Sequence, residues 1–278
     1  MLRIKNSATM VALFAVILFS GQALAGALPK PRSKNPEAQK YIDQAWALEL
    51  VDSNAKIYKD CIAIMEQADK KDPNNPEILI DLSRYWWSYG DNLPKETKDQ
   101  QRVLEGYYAK GMSYAEKSMA IKESVAAHYW WAVNKAAGLE FSGIASQAAG
   151  FPSIKRHVDY VTGHEPDYYY GGSGRIWSEI QSRVPKILVK IVGWNVQDTI
   201  DQINNGIKLE PRYFDNYVYK ARFYYVYFDD KNEALKTLEI ILKQDPNVLP
   251  SELSANKISQ RDGRELWKKI TGKDYPNK

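Results

Sequence analysis

The chain has 278 residues, with 38 Lys and Arg against 34 Asp and Glu, for a formal net charge of +4. So nearly balanced a charge leaves no electrostatic footprint for nucleic acid or anionic lipid. A single cysteine excludes an intramolecular disulfide, so the fold must be held by its own core.

In chain order, residues 1–25 read as a secretory signal peptide. Arg3 and Lys5 precede the uncharged apolar run from Met10 to Phe19, which is shorter than the roughly 20 residues a bilayer span needs. Ala23-Leu24-Ala25 has the small-x-small pattern of a cleavage site. Cleavage after Ala25 removes two positive charges, leaving 36 basic and 34 acidic residues, or +2. With no cysteine directly behind the site to carry a lipid, the expected product is soluble, in the periplasm or secreted. Residues 26–36 read as a linker and 37–278 as a helical repeat domain with a C-terminal cap from about 248.

Within that domain the apolar period is helical. Leu79, Leu82, Trp86 and Tyr89 step by three and four, as do Phe214, Tyr217, Val218, Ala221, Tyr224, Tyr225 and Phe228. Phe223, Val226 and Tyr227 fall on another face of the second helix, which predicts burial between neighbours. Partner helices are expected over residues 54–71, 95–122, 153–162, 196–209 and 232–244, with a short one near 264–270. Asp72-Pro73-Asn74-Asn75-Pro76, Gly90-Asp91-Asn92, Glu210-Pro211 and Asp245-Pro246-Asn247 punctuate them, because proline lacks the amide a helix interior needs.

The aromatic helices resemble one another. Arg84-Tyr85-Trp86-Trp87, His128-Tyr129-Trp130-Trp131, Arg175-Ile176-Trp177 and Arg222-Phe223-Tyr224-Tyr225 each set a basic residue before a bulky pair. Trp86, Trp130, Trp177 and Tyr224 follow one another by 44, 47 and 47 residues, and Trp46 lies 40 before the first. Such a period is the mark of a helical solenoid. Ala234 with Pro246, and Cys61 with Pro73, keep the 12-residue distance between small residue and proline of a tetratricopeptide repeat. The middle units exceed the ~34 residues of that repeat. The expected fold is therefore all-α, a tetratricopeptide-like solenoid of about five helical hairpins with inserts in its middle repeats.

No catalytic constellation emerges, and neither a cofactor motif nor an enzyme activity is expected. Gly171-Gly172-Ser173-Gly174-Arg175 is neither a P-loop nor a nucleophile elbow, since no Lys-Ser/Thr follows and Arg175 stands where the elbow needs glycine. It reads better as a tight turn with Ser173 capping a helix that starts near Arg175 than as an anion cradle. His128, His157 and His164 lack the spacing of a zinc site, so no metal is expected. Cys61, at a small-residue position, reads as a buried structural thiol. The β-branched run Ile187–Trp194 reads as an insert or helix continuation packed across the solenoid.

The segments Glu165–Trp177 and His128–Lys135 resemble the T component of TRAP transporter systems, whose pattern of aromatic-Gly-Gly-x-x-Arg, a later Pro and a final Glu-Pro is matched by Tyr170-Gly171-Gly172 with Arg175, Pro185 and Glu210-Pro211. That resemblance implies a periplasmic scaffold joined to a solute-binding protein partner, with an apolar ligand of its own. The alternative is a stand-alone carrier of a hydrophobic small molecule. Oligomeric state is left open, a homo-oligomer included. Candidate binding residues are Trp87 and Trp131, each about 100° around its helix from a core ring, and Tyr168, Tyr169, Tyr170, Gly171, Gly172 and Arg175. The three tyrosines are expected to reach a groove from a flexible turn.

Overall fold

The structure, a computed structural model, describes residues 26–184, 186, 189 and 194–276. Among these residues every regular element is helical. Five antiparallel hairpins follow one another: α1 (Pro36–Val51) with α2 (Ala55–Lys71), α3 (Pro76–Asp91) with α4 (Lys98–Ile121), and α5 (Val125–Leu139) with α6 (Ile144–His164). The next are α7 (Tyr168–Arg183) with α8 (Val196–Leu209), and α9 (Asp215–Phe223) with α10 (Lys231–Leu242). A final helix, α11 (Leu253–Thr271), closes the array. The solenoid expectation thus holds, and every aromatic cluster falls on the first helix of a hairpin or its C-terminal end. In the second and third units the extra length sits in the second helices, α4 with 24 residues and α6 with 21 against 17 in α2 and 12 in α10. In the fourth it lies between α7 and α8, the latter having 14 residues.

Local chemistry starts these helices. Asn35 and Asn75 accept the amides of the two residues after the proline at each first turn, so Asn-Pro-Glu opens both α1 and α3. Thr97 and Gln100 form a reciprocal capping box on α4. The predicted helix over 153–162 is longer in the structure, because α6 begins at Ile144 and runs through Pro152. α9 ends in a π-helical turn, Tyr224–Phe228, capped by left-handed Asp229. That turn leaves Val226 and Phe228 each 42% exposed, against the burial expected for this helix.

The three largest apolar clusters among the described residues run along the array, around α1–α3, α5–α7 and α9–α11. Cys61 is fully buried in the first, its thiol donating to the Ala45 carbonyl oxygen at 3.4 Å. Burial pushes the Cys61 thiol up to about 12, which keeps it protonated and inert. Cys61→Ala should cost about 1 kcal/mol by denaturant unfolding, and the native protein should resist thiol reagents until unfolded; rapid native labelling would contradict this. Val189 packs with Ile200, Phe223 and Tyr227; apart from Val189 and Trp194, the β-branched run Ile187–Trp194 lies outside the described residues.

α11 exceeds the short terminal helix that was expected, and its docking face explains why. Ser254, Asn256, Ser259, Gln260 and Gly263 are buried along it, a small and polar stripe that precedes the buried Leu266. Asn256 donates to the carbonyls of Arg212 and Pro246 and accepts the Phe214 amide, while Gln260 donates to those of Ile241 and Gln244. The helix thereby satisfies carbonyls left over at element ends. It also reaches back to α1, where the Ser53 and Ser254 hydroxyls meet. First and last elements touch, so the inner face of the array is enclosed. No described helix is long and apolar enough to cross a membrane.

Candidate binding site on the enclosed inner face

The first helices carry a strip of rings and ion pairs that crosses the hairpins. At one end Arg84 (α3) makes two bonds to the Glu49 carboxylate (α1), at 2.5 and 2.8 Å, and one to Asp81 at 3.2 Å. Trp46 donates to Asp81 and Tyr85 to Glu49, with the Arg84 guanidinium 4.2 Å from the Tyr85 ring centre. The strip continues through Trp87–Trp130 (5.7 Å), Trp130–Tyr169 (5.9 Å) and Tyr169–Tyr213 (5.6 Å). Beyond it Arg175 pairs with Asp215 at 3.1 Å, and Arg222 with Glu179 at 3.1 Å.

The electrostatics are those of a crevice. Desolvation raises the Asp215 carboxyl even with Arg175 beside it, yet its side chain keeps 29% of its surface accessible. Asp91 is likewise raised by desolvation while 46% accessible. Asp262 (α11) disfavours the charge of both Asp91 (α3) and Asp215 (α9), and Asp91 that of Asp215, so the three elements face a shared space. Burial alone would raise Glu179, but Arg222 and Arg183 hold it low.

Glu252, in the turn before α11, is different. Its carboxyl is pushed up to about 7, first by desolvation and then by Glu49, with only the Tyr170 hydroxyl donating to it at 3.3 Å. The folded state therefore holds this proton more tightly than the unfolded chain does. Its contribution is favourable at low pH and is lost as pH rises from the ordinary 4.5 through 7. Glu252→Gln should leave stability unchanged below pH 4.5 and raise it by about 1–2 kcal/mol above pH 8, after discounting for solvent contact. Urea unfolding across that range tests this; an equal effect at both ends would refute it. A carboxyl kept where it opposes folding is a mark of a binding surface.

The structure separates the residues singled out from sequence. Trp87 and Tyr169 lie on the strip and are partly exposed. Trp131 points elsewhere: its ring stacks on His157 at 4.0 Å and its Nε1 donates to Glu116, between the helices of two hairpins. That stack holds all three histidines, His157–His128–Tyr160–His164, and burial lowers His157 to about 4. Among the described residues no three His, Cys, Asp or Glu converge as metal ligands.

The glycine segment is core and not a flexible loop. Tyr169, Tyr170 and Gly171 form one left-handed turn, with φ of 47°, 53° and 76°, a conformation that costs about 1–2 kcal/mol per non-glycine residue. Tyr168, Tyr170, Gly171, Gly172 and Arg175 are all buried. Helical dihedrals resume at Gly172, three residues ahead of the expected start, and Ser173 does not cap: its hydroxyl is buried without a partner. Arg175 holds the turn by donating to the carbonyls of Tyr169 (2.8 Å) and Tyr170 (3.5 Å) and to Asn216 Oδ1 (2.6 Å).

Sequence reasoning missed Glu49, Asp81, Asp215, Arg222 and Glu252 as site residues. A signal existed for three ion pairs: the basic residue before the bulky pair recurs as Arg84, Arg175 and Arg222, and each takes a carboxylate from the strip.

A family model described as Regulator of microtubule dynamics protein 1-3 matches residues 41–170, which span α1 to the left-handed turn. No curated protein matches the chain. The family match overturns the resemblance to the TRAP T component: it covers the His128–Lys135 segment and most of the array ahead of the glycine turn, and it belongs to another family. With it fall the periplasmic scaffold on a solute-binding protein, the carrier alternative and the transport role. The signal peptide read at residues 1–25 gains no support from this match and lies outside the described residues.

Proposed function

We propose that this protein is a non-enzymatic helical-repeat adaptor that holds an extended segment of a protein partner along its enclosed inner face. The observation that carries the reading is the strip Trp87–Trp130–Tyr169–Tyr213, flanked by Arg–carboxylate pairs and by the poorly compensated Glu252. Rings spaced along a concave face take up apolar side chains, and the flanking charges set register and exclude wrong partners. The likeness of residues 41–170 to regulators of microtubule dynamics supports a role in assembly over one in chemistry, and adds the proposal that the partner belongs to microtubule regulation.

The test is selection of a displayed peptide library on the purified full-length chain, followed by calorimetry on the selected sequences. Trp87→Ala and Asp215→Asn should each weaken binding at least ten-fold, while Val103→Ala, on an exposed position of α4, should not. Selected peptides that bind the Trp87 and Asp215 variants like wild type would remove the inner face as the site. Co-sedimentation with polymerised tubulin tests the microtubule part separately.

A further inference from the structure

The guanidiniums of Arg84, Arg175 and Arg222 repeat one arrangement on the inner face: each lies over a tyrosine ring and pairs with a carboxylate. Arg84 sits 4.2 Å from the Tyr85 ring centre and pairs with Glu49 and Asp81. Arg175 sits 4.8 Å from that of Tyr169 and pairs with Asp215, and Arg222 sits 5.4 Å from that of Tyr219 and pairs with Glu179. Glu252 has the tyrosine and no guanidinium. The Tyr170 hydroxyl donates to it at 3.3 Å, and among the described residues it makes no ion pair.

The turn Pro250–Glu252 is pinned on both sides, so this carboxyl is not left to find water. Just before it, buried Leu249 packs with Tyr170 and Tyr213; just after it, the Ser254 hydroxyl meets that of Ser53. Glu252 is held half-buried, facing Glu49 from α1, Arg84 from α3, Tyr169, Tyr170 and Arg175 from α7, and Tyr213. Both arginines in that set are already engaged by other carboxylates. The surroundings therefore carry an excess of negative charge and a desolvated acceptor with most of its lone pairs unfilled. This place is reachable from solvent. A cleft of about 870 Å³ is walled by residues 27–32 on one side, and its other walls include Ile80, Asp81, Tyr168 and Ser251, the residue before Glu252.

We propose that Glu252 receives an arginine side chain of the partner segment, which reaches it by way of this cleft and completes the carboxylate–guanidinium–tyrosine arrangement that the inner face already repeats. Arginine fits better than lysine, because a planar fork can pair with a carboxylate while its face lies on a ring. The inference rests on the adaptor reading and adds to it the chemistry of the partner. It also fixes the sign of a pH dependence. A bound guanidinium favours the ionised carboxyl, so binding expels the Glu252 proton wherever that proton is present. The free protein holds it up to about pH 7, so affinity should rise from acid to mildly alkaline pH.

The test uses the full chain and peptides selected on it at pH 8 from a displayed random library. The selected sequences should share one arginine at a fixed position. Replacing that arginine by citrulline, which keeps the shape and removes the charge, should weaken binding to wild type by about ten-fold or more in calorimetry. The same replacement should change binding to Glu252→Gln less than about two-fold, since the pair is already gone. Wild type should bind the arginine peptide about ten-fold more tightly at pH 8 than at pH 5.5, and Glu252→Gln should bind it with little pH dependence. Binders without a shared basic position would overturn the proposal and leave the adaptor reading standing. So would a citrulline effect equal in wild type and Glu252→Gln, which would seat the arginine on another carboxylate. A library that yields no binder would remove both the adaptor reading and this one.

Discussion

Arg175→Ala should lower the stability of the protein by about 3–5 kcal/mol, the range seen when one partner of a buried ion pair is removed. Its side chain is 4% accessible and serves four acceptors: Asp215, Asn216 and the carbonyls of Tyr169 and Tyr170. The guanidinium also lies 4.8 Å from the Tyr169 ring centre and 5.1 Å from that of Tyr213. Truncation therefore leaves Asp215 with an uncompensated charge in a desolvated setting and releases the clamp on two tyrosines in left-handed backbone. In a chain of this size the loss corresponds to a fall in Tm on the order of 10 °C. Arg175→Lys should recover less than half, because one ammonium cannot reproduce a planar fork with donors on several sides. Chemical denaturation of both variants measures this. An Arg175→Ala protein within 1 kcal/mol of wild type would refute the clamp.

Gly206→Ala should cost about 2–3 kcal/mol by overpacking, although the change ordinarily favours a helix. Gly206 sits on α8 where the left-handed turn of α7 presses against it, and an added methyl would overlap the Tyr170 carbonyl oxygen and crowd Asn216 Nδ2. That carbonyl already accepts from Asn216 at 2.9 Å and faces Arg175, so it cannot move without breaking the clamp. Gly106 is the control: it lies within α4, and nothing stands within 4 Å of an added methyl. Gly106→Ala should gain about 0.5–1 kcal/mol, the ordinary helix-propensity difference. Opposite signs for two helical glycines, read from urea midpoints, are the expected outcome. A stabilised Gly206→Ala would mean that α7 and α8 do not pack this closely.

The inner strip follows from the same pairing. Trp87 and Tyr169 reach the enclosed face because the rings beside them, Trp130 and Tyr213, are packed from behind. Loss of the Arg175 clamp should thus lower affinity for any inner-face ligand together with stability, whereas Trp87→Ala should lower affinity alone.

Much of the architecture was determined by sequence, because it depends on short-range chemistry. Apolar residues three and four apart, prolines at hairpin ends and aromatic pairs recurring every 44 to 47 residues specify helices and their pairing. Asn-Pro-Glu at 35–37 and 75–77, which opens α1 and α3 alike, was a further local signal left unread. Tertiary structure alone decided three things. The first half of α11 docks through Asn256 and Gln260 onto carbonyls, so only its second half, from Leu266, carries apolar residues that announce it. Arg175 and the glycine segment look like a mobile ligand loop in one dimension, yet they are buried because α8 offers a glycine at their point of contact and α9 an Asp-Asn pair for the guanidinium. Glu252 lies 203 residues beyond Glu49 and reaches its neighbourhood only because the last helix returns to the first. Local sequence sets which helices form; which charges must share a desolvated space depends on contacts between residues far apart in the chain, and no spacing along it encodes them.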